Sequence, residues 1–147
     1  MSASGETRSA RTLAPGTGRG EVIRLEEPVS LWGGMDPHTG TLIDPHHPQL
    51  GQHLTGRVVL MPSGRGSSSS SSILAEAIRA RTAPAAFILL EPDPILALGA
   101  IVAAELYGRT VPVVAVDPAV YDDVAASVHA SVEATADGAT IRFGLGG

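Results

Sequence analysis

The feature that most limits the fold is an alternation in the middle of the chain. Three short, unbroken apolar runs stand out: "RVVLMP" from Arg57 to Pro62, "AAFILLEP" from Ala85 to Pro92, and "VPVVAVD" from Val111 to Asp117. Runs this short, bounded by turn residues, read as buried strands. Between the first two, Ile73, Leu74, Ala77 and Ile78 recur at helical spacing. Between the second and third, "DPILALGAIVAAELYG" has Asp93 as an N-cap, Pro94 in the first turn and Gly108 just past the end. A strand–helix–strand–helix–strand order favours a parallel sheet with right-handed crossovers.

The flanks add to this core. "GEVIRLEEPVSLW" is strand-like at Val22, Ile23 and Leu25. "GGMDPHTGTLIDPHHPQLGQHLTG" is rich in Gly, Pro, Asp and His and reads as loop, with a short strand at 41–43. A loop of that length is uncommon in a compact domain unless it has a task. "AVYDDVAASVHASVEA" reads as a last helix with His129 on its surface, and "ATIRFG" as a last strand. Residues 1–18 are polar and are expected to form a flexible leader, with the folded domain over 19–147. The N-terminal strand and the long loop do not suit a plain doubly wound sheet. The fold class expected is therefore α/β, with a parallel core sheet and an additional β layer.

Composition excludes several functions. The chain has 147 residues, enough for one domain with its own core. Aromatic residues are 3%, so that core is built from Ala, Val, Leu and Ile. The absence of Cys excludes disulfides, thiolate metal sites and cysteine nucleophiles. A net charge of −5 without a basic stripe argues against nucleic acid as a partner. No apolar run reaches the roughly 20 residues that span a bilayer, and the N-terminus has no apolar signal core, so a cytoplasmic protein without a membrane partner is expected.

The segment that bears most on function is "PSGRGSSSSSSILAEAI", Pro62 to Ile78. Serine runs often encode linkers, but this one joins a buried strand to a helix. Ser is a good N-cap, because its hydroxyl accepts from free backbone N–H groups. Gly64 and Gly66 allow a ligand close to the backbone. The helix start directs N–H groups and partial positive charge at the turn, and Arg65 adds a permanently charged fork. The residues fit either an anion site for a carboxylate or phosphate, or a plain capped turn. They are not a Walker loop, for no Gly-Lys-Ser/Thr is present.

The stretches "LWGGMDPHTGTLIDPHHPQLGQHLTGRVVLMPSGRGSSSSSSILAEAI" and "EPDPILALGAIVAAELYGRTVPVV" resemble the swivelling domain of the aconitase X family, over about Gly20 to Val116. The resemblance implies a three-layer swivelling β/β/α fold. It implies a small subunit that forms a heterodimer with a large catalytic subunit, and inactivity without it. Iron or an iron–sulfur cluster belongs to that large subunit, with no cofactor or metal bound by this chain. The implied reaction is dehydration of a small hydroxy acid, either cis-3-hydroxy-L-proline or mevalonate 5-phosphate. The arginine-only basic residues and abundant Ala and Gly fit a high-GC bacterial coding bias, which favours cis-3-hydroxy-L-proline. A stand-alone swivel-type binding module without catalysis is the alternative of a different class.

In the wider superfamily a swivel-domain serine is the base, and the resemblance places that role on Ser67. Arg65, Gly66, Ser68 and Ser69 are then the substrate-binding residues near its carboxylate. The family often has Gly among the later serines, where this chain has Ser70 and Ser71.

Other residues also carry functional chemistry. His46 and His47, near Asp44, His38 and His53, raise the possibility of a metal site. Adjacent loop residues rarely ligate one ion together, so a docking loop or active-site rim is the preferred reading. Trp32, before Gly33-Gly34, reads as a packing plug or an interface anchor. Glu91 and Asp93 fall at a strand's carboxyl end, where ligands bind in parallel sheets, though a helix cap is the preferred role for Asp93.

Overall fold

The computed structural model describes residues 6–63 and 69–144. The three apolar runs form β5 (Val58–Met61), β6 (Ala86–Leu89) and β7 (Val113–Ala115), which pair in parallel with one another. Two further long strands, β1 (Glu6–Ala14) and β2 (Gly16–Arg24), flank this sheet. The end of β2 pairs in parallel with β5, and the end of β1 pairs antiparallel with β7.

The first halves of β1 and β2 belong to a second layer. There they pair antiparallel with β9 (Gly138–Gly144) and β8 (His129–Thr135), which also pair with each other. Because β1 and β2 pass from one layer into the other, the layers close into one barrel in the order β1-β7-β6-β5-β2-β8-β9. The expected parallel core and additional β layer are thus both present, joined at two shared strands.

Side-chain alternation divides the core in two. Val59, Met61, Phe87, Leu89 and Val113 face outward from the barrel, against α2 (Ser69–Ala80) and α3 (Pro94–Tyr107). Val58, Leu60, Ala86, Ile88 and Val114 face inward and meet Ala130, Val132, Ala134, Ala139, Ile141 and Phe143. The α4 helix (Pro118–Ala125) adds Val120, Tyr121 and Val124 to this inner core. Strands buried on both faces read as unbroken apolar runs; β8 and β9, with one face in solvent, alternate strictly.

Two sequence expectations are corrected here. Residues 6–14 of the expected leader form β1, and β2 begins at Gly16 rather than near Gly20. In β1 the inward positions are small or polar (Ala10, Thr12), and after a bulge Ala14 turns to the helix side, so no bulky inward residue marks this strand. The glycines of β2 serve close approach: a Cβ on Gly18 would strike the Ala85 carbonyl, and one on Gly20 the Gly56 carbonyl. The expected last helix ends at Ala125, where the Ser127 hydroxyl donates to the Val124 carbonyl at 2.6 Å, and His129 lies in β8. Alanine-rich "VHASVEAT" carries a period-2 pattern that also passes for a helical one.

The long irregular segment is ordered packing. Its hairpin, β3 (Met35–Asp36) and β4 (Thr41–Leu42), together with Leu54 buries Met35, Leu42 and Leu54 in the helix-side core. No described helix is long and apolar enough to cross a membrane.

Candidate functional site

The site is built at the carboxyl edge of the parallel strands. There β5 ends at Met61, and the Pro62 carbonyl accepts hydrogen bonds from Leu90 N–H (3.0 Å) and Glu91 N–H (2.9 Å) just past β6. The entry to the serine turn is therefore pinned to the neighbouring strand. Its exit is Ser69, the first residue of α2. Of the residues singled out from sequence, Arg65, Gly66, Ser67 and Ser68 lie outside the described residues; Ser69 opens the helix.

Three contacts fix where that helix starts. Leu74, Ala77 and Ile78 anchor it in the core. On α3, Gly99 lies against the backbone of Ser71, where a Cβ would come within 2.6 Å of the Ser71 carbonyl oxygen and 2.9 Å of its Cα. Any side chain at Gly99 would push the first turn of α2 away. Third, the buried Ser70 hydroxyl lies 3.2 Å from the Ser30 hydroxyl, and Trp32 N–H points to it at 3.5 Å. The short turn α1 (Leu31–Gly34) is thereby held beside the start of α2. Ser30, 40 residues away in sequence, was not among the residues singled out; no local pattern marks so distant a pairing.

α3 starts on the same edge. The Asp93 carboxylate accepts from Ile95 N–H (3.0 Å) and Leu96 N–H (3.1 Å), the N-cap expected of it. Gly108 ends the helix in the left-handed region at φ 67°. α2 and α3 run parallel: Gly99 meets Ser71 near their starts, while Arg109 near their ends donates to the Ile78 and Arg79 carbonyls. Two helix N-termini thus face the edge where the serine turn emerges, and their partial positive charges favour an anion there.

A cleft of about 510 Å³ lies along this edge, lined by Leu90 and Pro92 after β6, Ala115, Val116 and Asp117 at the end of β7, and Ser9 and Arg11 of β1. Arg11 adds an exposed guanidinium, a contribution missed because it fell in the expected leader. Glu91 is exposed beside the cleft.

Two of the histidines, His47 and His53, join the hydrogen bonding of the long segment through their rings. His47 is buried; its Nε2 donates to the Glu27 carbonyl (2.9 Å) while its Nδ1 accepts from Gln49 N–H (3.0 Å). Asp44 accepts from His46 N–H at 2.9 Å, and His53 Nδ1 lies 3.0 Å from the Thr41 hydroxyl. Among the described residues, no three His, Asp or Glu side chains gather where they could hold a metal ion. Trp32 is no packing plug: it is 60% exposed, because Gly33 at φ 80° turns the chain just after it.

Comparison with known proteins agrees with this fold. Residues 7–142 match the family model of the aconitase X swivel domain. The chain is 52% identical over 103 residues to a cis-3-hydroxy-L-proline dehydratase of Pseudomonas aeruginosa, a match covering 70% of this chain and 18% of that protein. It is 45% identical over 93 residues to the phosphomevalonate dehydratase small subunit of Methanothermobacter thermautotrophicus, covering 63% of this chain and 71% of that one. In the crystal structure of Thermococcus kodakaraensis aconitase X (holo-form), one chain superposes with a TM-score of 0.76 at 28% identity, covering 94% of this chain and 98% of that one. The chain spans about a fifth of the length of the curated cis-3-hydroxy-L-proline dehydratases it matches.

Proposed function

This chain belongs to the aconitase X swivel-domain family, and from that premise we propose that it is the small, swivelling component of a hydro-lyase that dehydrates a small hydroxy acid. The observation that carries this reading is the frame on either side of the serine segment: the Pro62 carbonyl tied to the backbone after β6, and α2 and α3 both starting on that same sheet edge, at Ser69 and Pro94.

Dehydration beside a carboxylate has three requirements: a base for the α-proton, a Lewis acid for the departing hydroxyl, and a clamp for the carboxylate. In this proposal the first and third fall to the serine turn. The Ser67 oxygen takes the α-proton, while Arg65 and the N–H and O–H groups of Gly66, Ser68 and Ser69 hold the carboxylate. A free serine hydroxyl is too weak an acid to serve as an alkoxide. Nearby positive charge and removal from water on closure favour its ionised form. In this proposal the iron or iron–sulfur chemistry of the departing hydroxyl belongs to a large catalytic partner, as the family resemblance implies.

We favour cis-3-hydroxy-L-proline as the substrate, supported by the 52% identity to a dehydratase of that name. Mevalonate 5-phosphate is the second reading, supported by the 45% identity to a phosphomevalonate dehydratase small subunit. The test is an anaerobic dehydration assay on both substrates with the co-expressed aconitase X-type large subunit. The reading expects turnover of one substrate that needs both chains. Absence of any complex would move the chain to a binding module without catalysis.

A further inference from the structure

α3 is apolar on every side, and only half of it is covered. Leu96, Ala97, Gly99, Ala100 and Ala103 face the sheet and α2. Leu98, Ile101, Val102 and Leu106 point outward and are 53%, 41%, 38% and 66% exposed. At about 100° per residue these four form one continuous stripe of roughly 140°, interrupted only by Glu105. A helix apolar all round is normally covered all round. A contiguous exposed apolar face, unlike apolar side chains exposed singly, marks an interaction site.

From this we infer that the outward face of α3 is the docking surface for the large catalytic component, which seats on it beside the start of α2. The inference rests on the function proposed above. Continuity supports this occupant. Leu98 adjoins Gly99, which lies against Ser71 in the first turn of α2. A body covering the start of α2 therefore runs onto Leu98 and then along the stripe to Leu106. Size supports it too. The 14-residue helix is about 21 Å long. Two such stripes laid on each other form a contact about 21 by 10 Å, far below the roughly 800 Å² per partner of a stable interface. A second copy of this chain would leave most of that requirement unmet. In the dehydratases of which the matched segment is 18–20%, four-fifths of the protein is free to cover this face. The partner surface expected is apolar, with a cationic group opposite Glu105.

The test compares binding of the large subunit to the full-length chain and to Leu98→Glu and Leu106→Glu, by sedimentation or calorimetry. Val128→Glu, at an exposed apolar position next to β8 in the layer opposite the helices, is the control. Glu is a good helix former, and circular dichroism and melting of each variant alone verify the fold. The inference expects about tenfold or weaker binding for both α3 variants, with the control unchanged. Wild-type affinity in both would overturn the inference and leave the proposed function standing. A self-associated chain that Leu98→Glu makes monomeric would assign the face to a second copy and overturn it as well. Failure of the unmodified chain to bind would remove the inference and the proposed function together.

Discussion

The Ser30 and Ser70 hydroxyls meet at 3.2 Å, joining the loop after β2 to the first turn of α2. Because Ser70 is buried, the pair holds the first turn of α2 against that loop. Ser70→Ala removes the partner of Ser30 and the acceptor that Trp32 N–H approaches. It is expected to cost about 1 kcal/mol, read as a fall of roughly 2–4 °C in melting temperature. Ser30→Ala should cost less once Ser70→Ala is present. Strict additivity in that double-mutant cycle would mean that the two hydroxyls do not interact.

Gly99 sets the distance between α2 and α3. Alanine has the higher helix propensity, and in an exposed helix the exchange would stabilise by about 1 kcal/mol. Here the new Cβ would meet backbone, which cannot rotate away. Gly99→Ala is expected to destabilise by about 1–3 kcal/mol and to displace the first turn of α2, lowering turnover in the complex beyond what lost stability explains. Denaturant melts and kcat on the same preparation separate the two effects.

These cases show how much of the site could be read from sequence. The β5–α2 order and the caps at Asp93 and Gly108 are local patterns, and they stand as expected; the serine turn between β5 and α2 lies outside the described residues. The Ser30–Ser70 contact and the need for Gly at 99 are long-range, and nothing within a short window signals them. The strand β1 and the first half of β2 escaped for another reason, while Val22 and Ile23 were legible as strand. A barrel strand shared by two layers needs small residues inside, and "GTGRG" resembles a linker until the backbones it passes are known.

Tyr121 is fully buried in the inner core, and its hydroxyl finds no hydrogen-bond partner among the described residues. The Arg24 guanidinium lies 5.2 Å from the ring centroid. Burial pushes the phenol above its usual value, against the opposing pull of Arg24. Tyr121→Phe keeps the ring and the cation–π contact and removes the orphan hydroxyl, so it should stabilise by about 1 kcal/mol. The pH dependence has a definite sign. A phenol raised in the folded state contributes stability that is complete below its unfolded value near 10 and is lost as pH rises through the folded value. Wild type should therefore weaken above about pH 10 relative to the Phe variant. A gap between them that narrows on going alkaline would contradict this account.

The most direct test of the account is the turnover of Ser67→Ala in the complex with the large subunit. The variant should bind that subunit with wild-type affinity and melt at the wild-type temperature, yet lose dehydration of cis-3-hydroxy-L-proline by a factor on the order of 10² or more. Near-normal turnover by a fully assembled Ser67→Ala complex would contradict the assignment of the base to this chain.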